Sequence, residues 1–422
     1  MTHARLFRTD GLLRGLLVSS AASVLFSSAV ASDVIRVGPT RPVATIAEGI
    51  LLADADTVLL VDPAVYVEDV TISEGIALVA DGNARVVGEL RIDGVGPNRT
   101  VLFTGITFEL PFAACTPPVT VRATSCRAPI HFQDCEILGA DAAGCLSSSP
   151  AARFESCFDV VFDACSIAGD DGDTAGAFAQ SQSGGGAIVA RDTAITISDC
   201  SLVGGRGRFG FFSGDGGVGL ALQGTSRTFL HGGSIVGGDA GDSFDIQAGN
   251  GGAGVLVGDA ASVFVQRTSI EGGLGGTGSA VVIGGEDADP IEGNLAGVSE
   301  DPDAPRGLAA DTLVPSLLPW SFRITELDPG ESVEVIVARG TGFRPIPALE
   351  RPLLVRFPAP GAVLFPPSTT EPGGSILFPQ GPTPPPNGDD ALVVWLQALC
   401  TDSSGARRLS AARVVVILAD GV

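Results

Sequence analysis

A short pattern of apolar and polar residues recurs along the middle of the chain. In each copy, alternating apolar positions lead into a turn residue, and one further apolar residue follows. The last residues of successive copies are 29, 30, 35, 33 and 35 positions apart. This alternation and period predict a parallel β-helix in which each copy belongs to one coil and stacked coils bury a continuous core. The copies are Phe103–Phe108, Phe132–Ile137, Phe162–Ile167, Ile197–Leu202, Leu230–Ile235 and Val265–Ile270.

Alignment of the copies gives each position a common role. The position before the turn is polar, and in the last five copies it is expected on the surface. A serine that recurs two residues after the turn is expected to be a structural feature of the repeat. Cys135, Cys165 and Cys200 follow the turn on three successive coils and are expected to stack in the core. The shared turn position is occupied by Gly105, Asp134, Ala164, Asp199, Gly232 and Arg267; the polar position by Gln133, Asp163, Ser198, His231 and Gln266; the serine position by Ser166, Ser201, Ser234 and Ser269.

Glycine-rich segments are inserted into the later coils. Examples are residues 204–207, 214–217 and 249–252, and most of the 57 glycines of the chain lie in this region. Glycine tolerates positive φ, so these segments are predicted to be loops or corners that leave the coil on one side. They would line one flank of the solenoid.

The residues before the repeats carry a further similarity. Ile35-Arg-Val, the strand-like run Asp56–Pro63 and the run Tyr66–Ile72 resemble the opening of the pectin-lyase-like β-helix superfamily. The resemblance implies a right-handed coil and a short amphipathic helix, here Thr45–Ala53, that caps the first coil. The fold expected for residues 32–300 is therefore all-β, a right-handed parallel β-helix with an N-terminal capping helix.

Composition changes after residue 300. Residues 301–312 are expected to be a linker, and proline concentrates beyond residue 310. Short β-like runs separated by Pro and Gly turns predict a small antiparallel β-sandwich-like module over residues 313–422.

The N-terminus has the features of an export signal. Arg5, Arg8 and Arg14 precede an apolar run that ends in Ala29-Val30-Ala31. This small-x-small pattern predicts a signal peptide over residues 1–31. The expected location is secreted, periplasmic or cell-surface, with no membrane span after cleavage.

Eight cysteines are compatible with disulfides in an exported chain. Two local pairs are predicted, Cys115 with Cys126 and Cys145 with Cys157. The alternative for the remaining cysteines is packing in the core without bonding.

Charge and composition exclude several functions. All 25 basic residues are arginine, and the net charge is −23, so a nucleic acid partner is not expected. The resemblance implies that a pectin-degrading enzyme would need an Arg or Lys base beside clustered acids, or carboxylates with a histidine. These motifs are absent from the repeated strands.

Acidic residues in the glycine-rich region are the candidate metal ligands. Because Ca²⁺ takes six to eight oxygen ligands, a calcium site is one hypothesis, and solvated turn acids are the other. No other cofactor is expected. The residues are Asp170, Asp171, Asp173, Asp215, Asp239, Asp242 and Asp245.

A second candidate is a contact patch within one glycine-rich loop. It would consist of Arg206, Arg208, Phe209, Phe211 and Phe212; alternatively, the loop packs these aromatic rings under itself. The expected function is a non-catalytic, adhesin-like or glycan-contacting module, whose partners would be polysaccharides or cell-surface components. The alternative is a polysaccharide lyase or glycoside hydrolase.

Overall fold

The computed structural model describes residues 33–97, 99–110, 119–140, 149–172, 182–278, 284–301, 306–338, 341–344, 353–355, 363–364, 368–369, 374–383 and 390–419. Nearly all regular structure in these ranges is β. The helical elements described are α1 (Ile46–Leu52) and a 3-10 turn at Leu295–Gly297.

The strands up to residue 301 form a parallel solenoid. They are β1 (Val34–Val37), β2 (Val58–Val61), β3 (Val65–Tyr66), β4 (Val70–Ile72), β5 (Ala77–Val87), β6 (Leu90–Asp93), β7 (Val101–Glu109), β8 (Val121–Thr124), β9 (Pro129–Gln133), β10 (Glu136–Leu138), β11 (Ala152–Glu155), β12 (Asp159–Asp163), β13 (Ser166–Ala168), β14 (Ile188–Arg191), β15 (Ala194–Ser198), β16 (Ser201–Val203), β17 (Gly210–Phe212), β18 (Leu220–Gln223), β19 (Arg227–His231), β20 (Ser234–Val236), β21 (Ser243–Gln247), β22 (Val255–Val257), β23 (Ser262–Gln266), β24 (Ser269–Glu271), β25 (Ile291–Gly293) and β26 (Val298–Asp301).

Later strands form the C-terminal sheets. They are β27 (Gly307–Ala310), β28 (Leu313–Pro315), β29 (Trp320–Thr325), β30 (Ser332–Ala338), β31 (Thr341–Arg344), β32 (Leu353–Val355), β33 (Val363–Leu364), β34 (Ser368–Thr369), β35 (Ile376–Gln380), β36 (Ala391–Thr401) and β37 (Arg407–Leu418).

From β8 to β24, each coil of the solenoid places one strand in each of three parallel ladders. Ladder A runs β9-β12-β15-β19-β23-β26, ladder B runs β10-β13-β16-β20-β24, and ladder C runs β8-β11-β14-β18-β22-β25. Within a coil, the strand in ladder A and the strand in ladder B are separated by a single tight turn. The predicted repeat is therefore confirmed as the unit of a parallel β-solenoid.

The six turn residues predicted from the repeat all adopt positive φ, between 47° and 67°. This conformation turns the chain between ladders A and B in every coil. Its occurrence at Ala164 and Arg267, which have no glycine-like freedom, shows that the stacked coils impose it.

Apolar side chains of like kind stack from coil to coil in the core. Phe103, Phe132 and Phe162 occupy one column with ring centroids 4.8 and 5.0 Å apart. Such offset stacking adds to the burial of the rings. α1 packs against β1, β2 and β4, and its Ile46 is fully buried in the same core.

The stacked cysteines lie in this core as predicted. Cys135, Cys165 and Cys200 are buried, and Cys126 and Cys157 are also buried free thiols. Neither predicted disulfide is therefore present, and Cys115 and Cys145 lie outside the described residues. Cys126 and Cys157 follow the same turn on consecutive coils, so each thiol meets the other rather than a loop cysteine.

The C-terminal sheets are largely antiparallel. One contains β27-β29-β35, and a second contains β28-β37-β36-β30-β33, with β28 parallel to β37 and β34 also paired to β30. A third sheet consists of β31 and β32. Residues of the first two sheets share one apolar cluster, for example Phe322 and Val335. Part of the expected linker is structured here, because β27 lies within it and Arg306 is buried against Glu331.

The second C-terminal sheet packs directly on the solenoid. Val58, Val79 and Leu102 on the outer face of the first coils form one apolar cluster with Trp395 and Val414. Burial of this shared surface ties the two parts together.

Candidate functional site

The glycine-rich insertions form an ordered layer along one side of the solenoid. Its first column is residues 169–172, 204–208, 237–242 and 272–277; its second is residues 182–186, 213–218, 248–253 and 284–289. We call this structure the glycine layer. Backbone hydrogen bonds zigzag between the columns, as when Gly205 N donates to Gly185 O and Gly217 N donates to Gly205 O, both at 2.8 Å. Other bonds join successive members of one column, such as Gly207 N to Asp239 O.

Glycine is required in this layer because neighbouring backbones lie very close together. A Cβ at Gly205 would lie 1.8 Å from Asp170 O, and one at Gly217 would lie 2.0 Å from Gly185 O. The glycines of the layer do not adopt positive φ. The sequence-based explanation by positive φ was therefore wrong: close backbone approach excludes any side chain.

The acids of the layer bond to the backbone of the next coil. Asp171 Oδ1 accepts from Arg206 N at 2.7 Å, and Asp215 Oδ1 accepts from Asn250 N at 2.8 Å. Asp239 Oδ1 accepts from Leu274 N at 3.0 Å. Each acceptor lies 35 residues before its donor, which is one coil. These carboxylates therefore join adjacent coils.

Asp242 makes the strongest set of these contacts. Its Oδ1 accepts from both the backbone N and the Oγ1 of Thr277 at 2.7 Å. The Thr277 hydroxyl and then the backbone N–H lower the pKa of this carboxyl, because both bonds favour the ionised form.

The other predicted ligands are placed differently. Asp170 is buried, and its carbonyl accepts from Gly185 N. Asp173 lies outside the described residues, and the side chain of Asp245 in β21 is not described. In the part of the chain that the structure describes, no three His, Cys, Asp or Glu side chains converge as a metal site.

A groove of about 740 Å³ runs where ladder B meets the glycine layer. Its floor is aliphatic, with one outward side chain from each of four coils: Leu138, Ala168, Val203 and Val236. Backbone of the glycine layer forms the adjoining wall, and the groove also contacts Asp171, Arg206 and Asp239.

A column of hydroxyl groups runs parallel to this floor. Ser166, Ser201, Ser234 and Ser269 are direct register partners on ladder B. Three of them are exposed and Ser234 is half-buried. The predicted serine position of the repeat is thus confirmed, and it presents a regular polar row to solvent.

Arg206 lies between acids of two neighbouring coils. Its backbone N is held by Asp171, and its Nε lies 3.9 Å from Asp239 Oδ2. The arginine side chain is 73% exposed, so this ion pair contributes little to stability. The guanidinium remains available to a ligand in the groove.

The predicted Arg/Phe patch is divided. Arg206 contacts the groove, Arg208 is buried, and Phe209 is exposed. Phe211 and Phe212 belong to β17, but their side chains are not described. Of the three members whose side chains are described, Arg206 is the one that lines the groove.

The polar positions before the turn are buried, contrary to expectation. The C-terminal sheet covers two of them: Gln133 Oε1 accepts from Val414 N at 2.8 Å, and Asp163 contacts Arg413 Nε at 2.9 Å. His131 packs edge-on against Trp395, and burial, aided by the charge of Arg413, lowers the pKa of His131 to about 3. This polar cluster connects the two parts of the protein and is buried between them.

Comparisons with known proteins add little. No family model matches the chain, and the search of curated proteins gives no match. Among solved structures, ORF18 of Geobacillus virus E2 is similar over 85% of this chain and 68% of its own, with 9% identity and a TM-score of 0.18. That likeness is too low to support an argument. No described helix is long and apolar enough to cross a membrane.

Proposed function

We propose that this protein is an exported, non-catalytic module of the pectin-lyase-like type that binds an extended polysaccharide along the groove. In this proposal the coils are right-handed, α1 caps the first coil, and a signal peptide over residues 1–31 directs the chain to the outside of the cell. The observation that carries the proposal is repetition: each of several coils adds one aliphatic side chain and one serine hydroxyl to the same surface.

A repeating surface suits a repeating ligand. Serine hydroxyls donate and accept hydrogen bonds, as sugar hydroxyls do, and the aliphatic floor matches the C–H face of a sugar ring. The acids next to the groove bond to the backbone of the next coil, so their structural role is already explained without acid–base chemistry.

The groove predicts a specific loss of binding. Val203→Arg places a long charged side chain on the floor and should weaken polysaccharide binding at least about tenfold, or about 1.4 kcal/mol. The measurement is affinity electrophoresis or calorimetry against a panel of soluble plant, algal and bacterial polysaccharides. The matched control is Leu256→Arg on ladder C, because Leu256 is exposed to a similar degree, 36% against 41% for Val203. Equal binding by wild type and both variants would contradict the proposed site.

A polysaccharide lyase or glycoside hydrolase is the second candidate. The specific observation in its favour is Arg206, held between Asp171 and Asp239 from neighbouring coils. Chain cleavage by the purified protein, abolished in Arg206→Ala, would establish this alternative. Binding without new reducing ends or unsaturated ends supports the non-catalytic function.

Calcium provides a separate test. Asp171, Asp215, Asp239 and Asp242 each use Oδ1 for a backbone N–H, so we propose that they stabilise the coils without metal. Millimolar Ca²⁺ should then change the melting temperature by no more than about 1 °C, since binding to the folded state alone would raise it. A rise of several degrees, reversed by a chelator and absent in Asp239→Asn, would instead establish a calcium site.

A further inference from the structure

The C-terminal end of the solenoid leaves the three ladders open. β24, β25 and β26 are the last strands of ladders B, C and A, and among the described residues each pairs on one side only. Such edges carry unpaired N–H and C=O groups that can accept another strand.

The core is also incompletely covered at this end. Ile270, Ile291 and Val298 are partly exposed, whereas their register partners one coil earlier, Ile235, Val255 and Val263, are at most 1% exposed. Leu274 and Leu295 are 62% and 61% exposed in the same terminal coil. Apolar surface is therefore concentrated here.

Each of the three terminal strands at this end carries an acidic residue. Glu271, Glu292 and Glu300 lie on β24, β25 and β26, and the sequence has no basic residue between positions 268 and 305. Glu300 pairs with the inward residue Val265 but is itself exposed. The carboxylate of Glu300 therefore lies one coil beyond Val265, at a position that faces the core in the preceding coil.

These charges determine which partner fits. Two copies stacked end to end would bring the three carboxylates of each copy together, and like charges at an interface disfavour association. A cationic chain would neutralise them. Strand addition obtains affinity from main-chain hydrogen bonds and specificity from alternate side chains.

We propose that the open end of the solenoid docks an extended, cationic segment of a partner protein, which continues the β-ladders. Its arginine or lysine side chains would meet the three glutamates. Its apolar side chains would cover Ile270, Ile291 and Val298. Glu271 adjoins the groove, because it is the register partner of Val236, whereas Glu292 and Glu300 lie on the other two ladders.

The test uses a fluorescent ten-residue peptide of alternating valine and arginine with the full mature chain. We expect saturable binding that weakens with salt, and at least about tenfold weaker binding in the triple variant Glu271→Gln, Glu292→Gln, Glu300→Gln. A matched triple variant, Asp93→Asn, Glu136→Gln, Glu155→Gln, removes acids from earlier coils and should bind as wild type. Melting curves check that both variants fold.

A second peptide distinguishes strand addition from attraction between charges. With proline in place of alternate valines the peptide keeps its charge but cannot complete a ladder, and it should bind much more weakly. Equal binding of the two peptides, or equal losses in the two triple variants, would overturn the proposal. So would a wild-type dimer that dissociates in the first triple variant, because the end would then be occupied by a second copy. Val203→Arg should leave peptide binding unchanged, which separates this result from the proposed polysaccharide site.

Discussion

Gly205→Ala is expected to destabilise the protein by about 3 kcal/mol or more, at the upper end of the range for overpacked cores. The new Cβ would lie 1.8 Å from Asp170 O. That oxygen belongs to backbone fixed by its own hydrogen bonds, so it cannot move away as a flexible side chain would. Relief requires separation of the columns, with loss of the bonds from Gly205 N to Gly185 O and from Gly217 N to Gly205 O.

The measurement is the free energy of unfolding from denaturant titration. Gly96→Ala is the control, because a Cβ there meets no atom within 4 Å and the backbone φ is not positive. This change should be neutral or stabilise the fold by up to about 1 kcal/mol, through the entropy of the unfolded chain. Equal stability of the two variants would contradict the close packing of the glycine layer.

The parallel solenoid could be predicted from the sequence because the patterns that indicate it are local and recur in every copy of the repeat. The six turn residues could be aligned across Gly, Asp, Ala and Arg, since the apolar positions on either side fixed the register. All six have positive φ. The inward direction of Cys135, Cys165 and Cys200 followed from the same register and is confirmed.

The glycine layer could not be predicted from the local pattern. A glycine-rich segment is compatible with a loop, and only neighbouring segments from other coils reveal why side chains are excluded. Asp171, Asp215, Asp239 and Asp242 each precede their partner by 35 residues, the length of a coil. Because those partners are backbone N–H groups of four different residue types, no residue pattern in the sequence marks these contacts.

The burial of polar residues on ladder A also escaped sequence analysis. Gln133 and Asp163 alternate with core residues, a pattern typical of a solvated face. Their partners, Val414 and Arg413, lie some 250 to 280 residues further along the chain. No local periodicity records contacts at that distance, so the docking of the C-terminal sheet emerged only from the structure.

Asp159 is an unusual member of this covered face. It is 1% exposed at the start of β12, and its Oδ1 has no hydrogen-bond partner. Burial alone raises the pKa of its carboxyl to about 7, because the ionised form is poorly solvated there. The free-energy cost of burying this carboxyl therefore depends on pH.

Asp159→Asn is expected to stabilise the protein at pH 8 and to have little effect at pH 4. The folded pKa lies above the unfolded value, so the wild-type carboxyl contributes its full stability only below about pH 4 and loses that contribution as pH rises to about 7. Across about three pH units the loss is on the order of 4 kcal/mol. The amide has nearly the same shape and does not titrate, so the difference in unfolding free energy between variant and wild type should grow from pH 4 to pH 7 and then level off. A constant difference for Asp159→Asn at every pH would mean that this carboxyl is not buried in ionisable form.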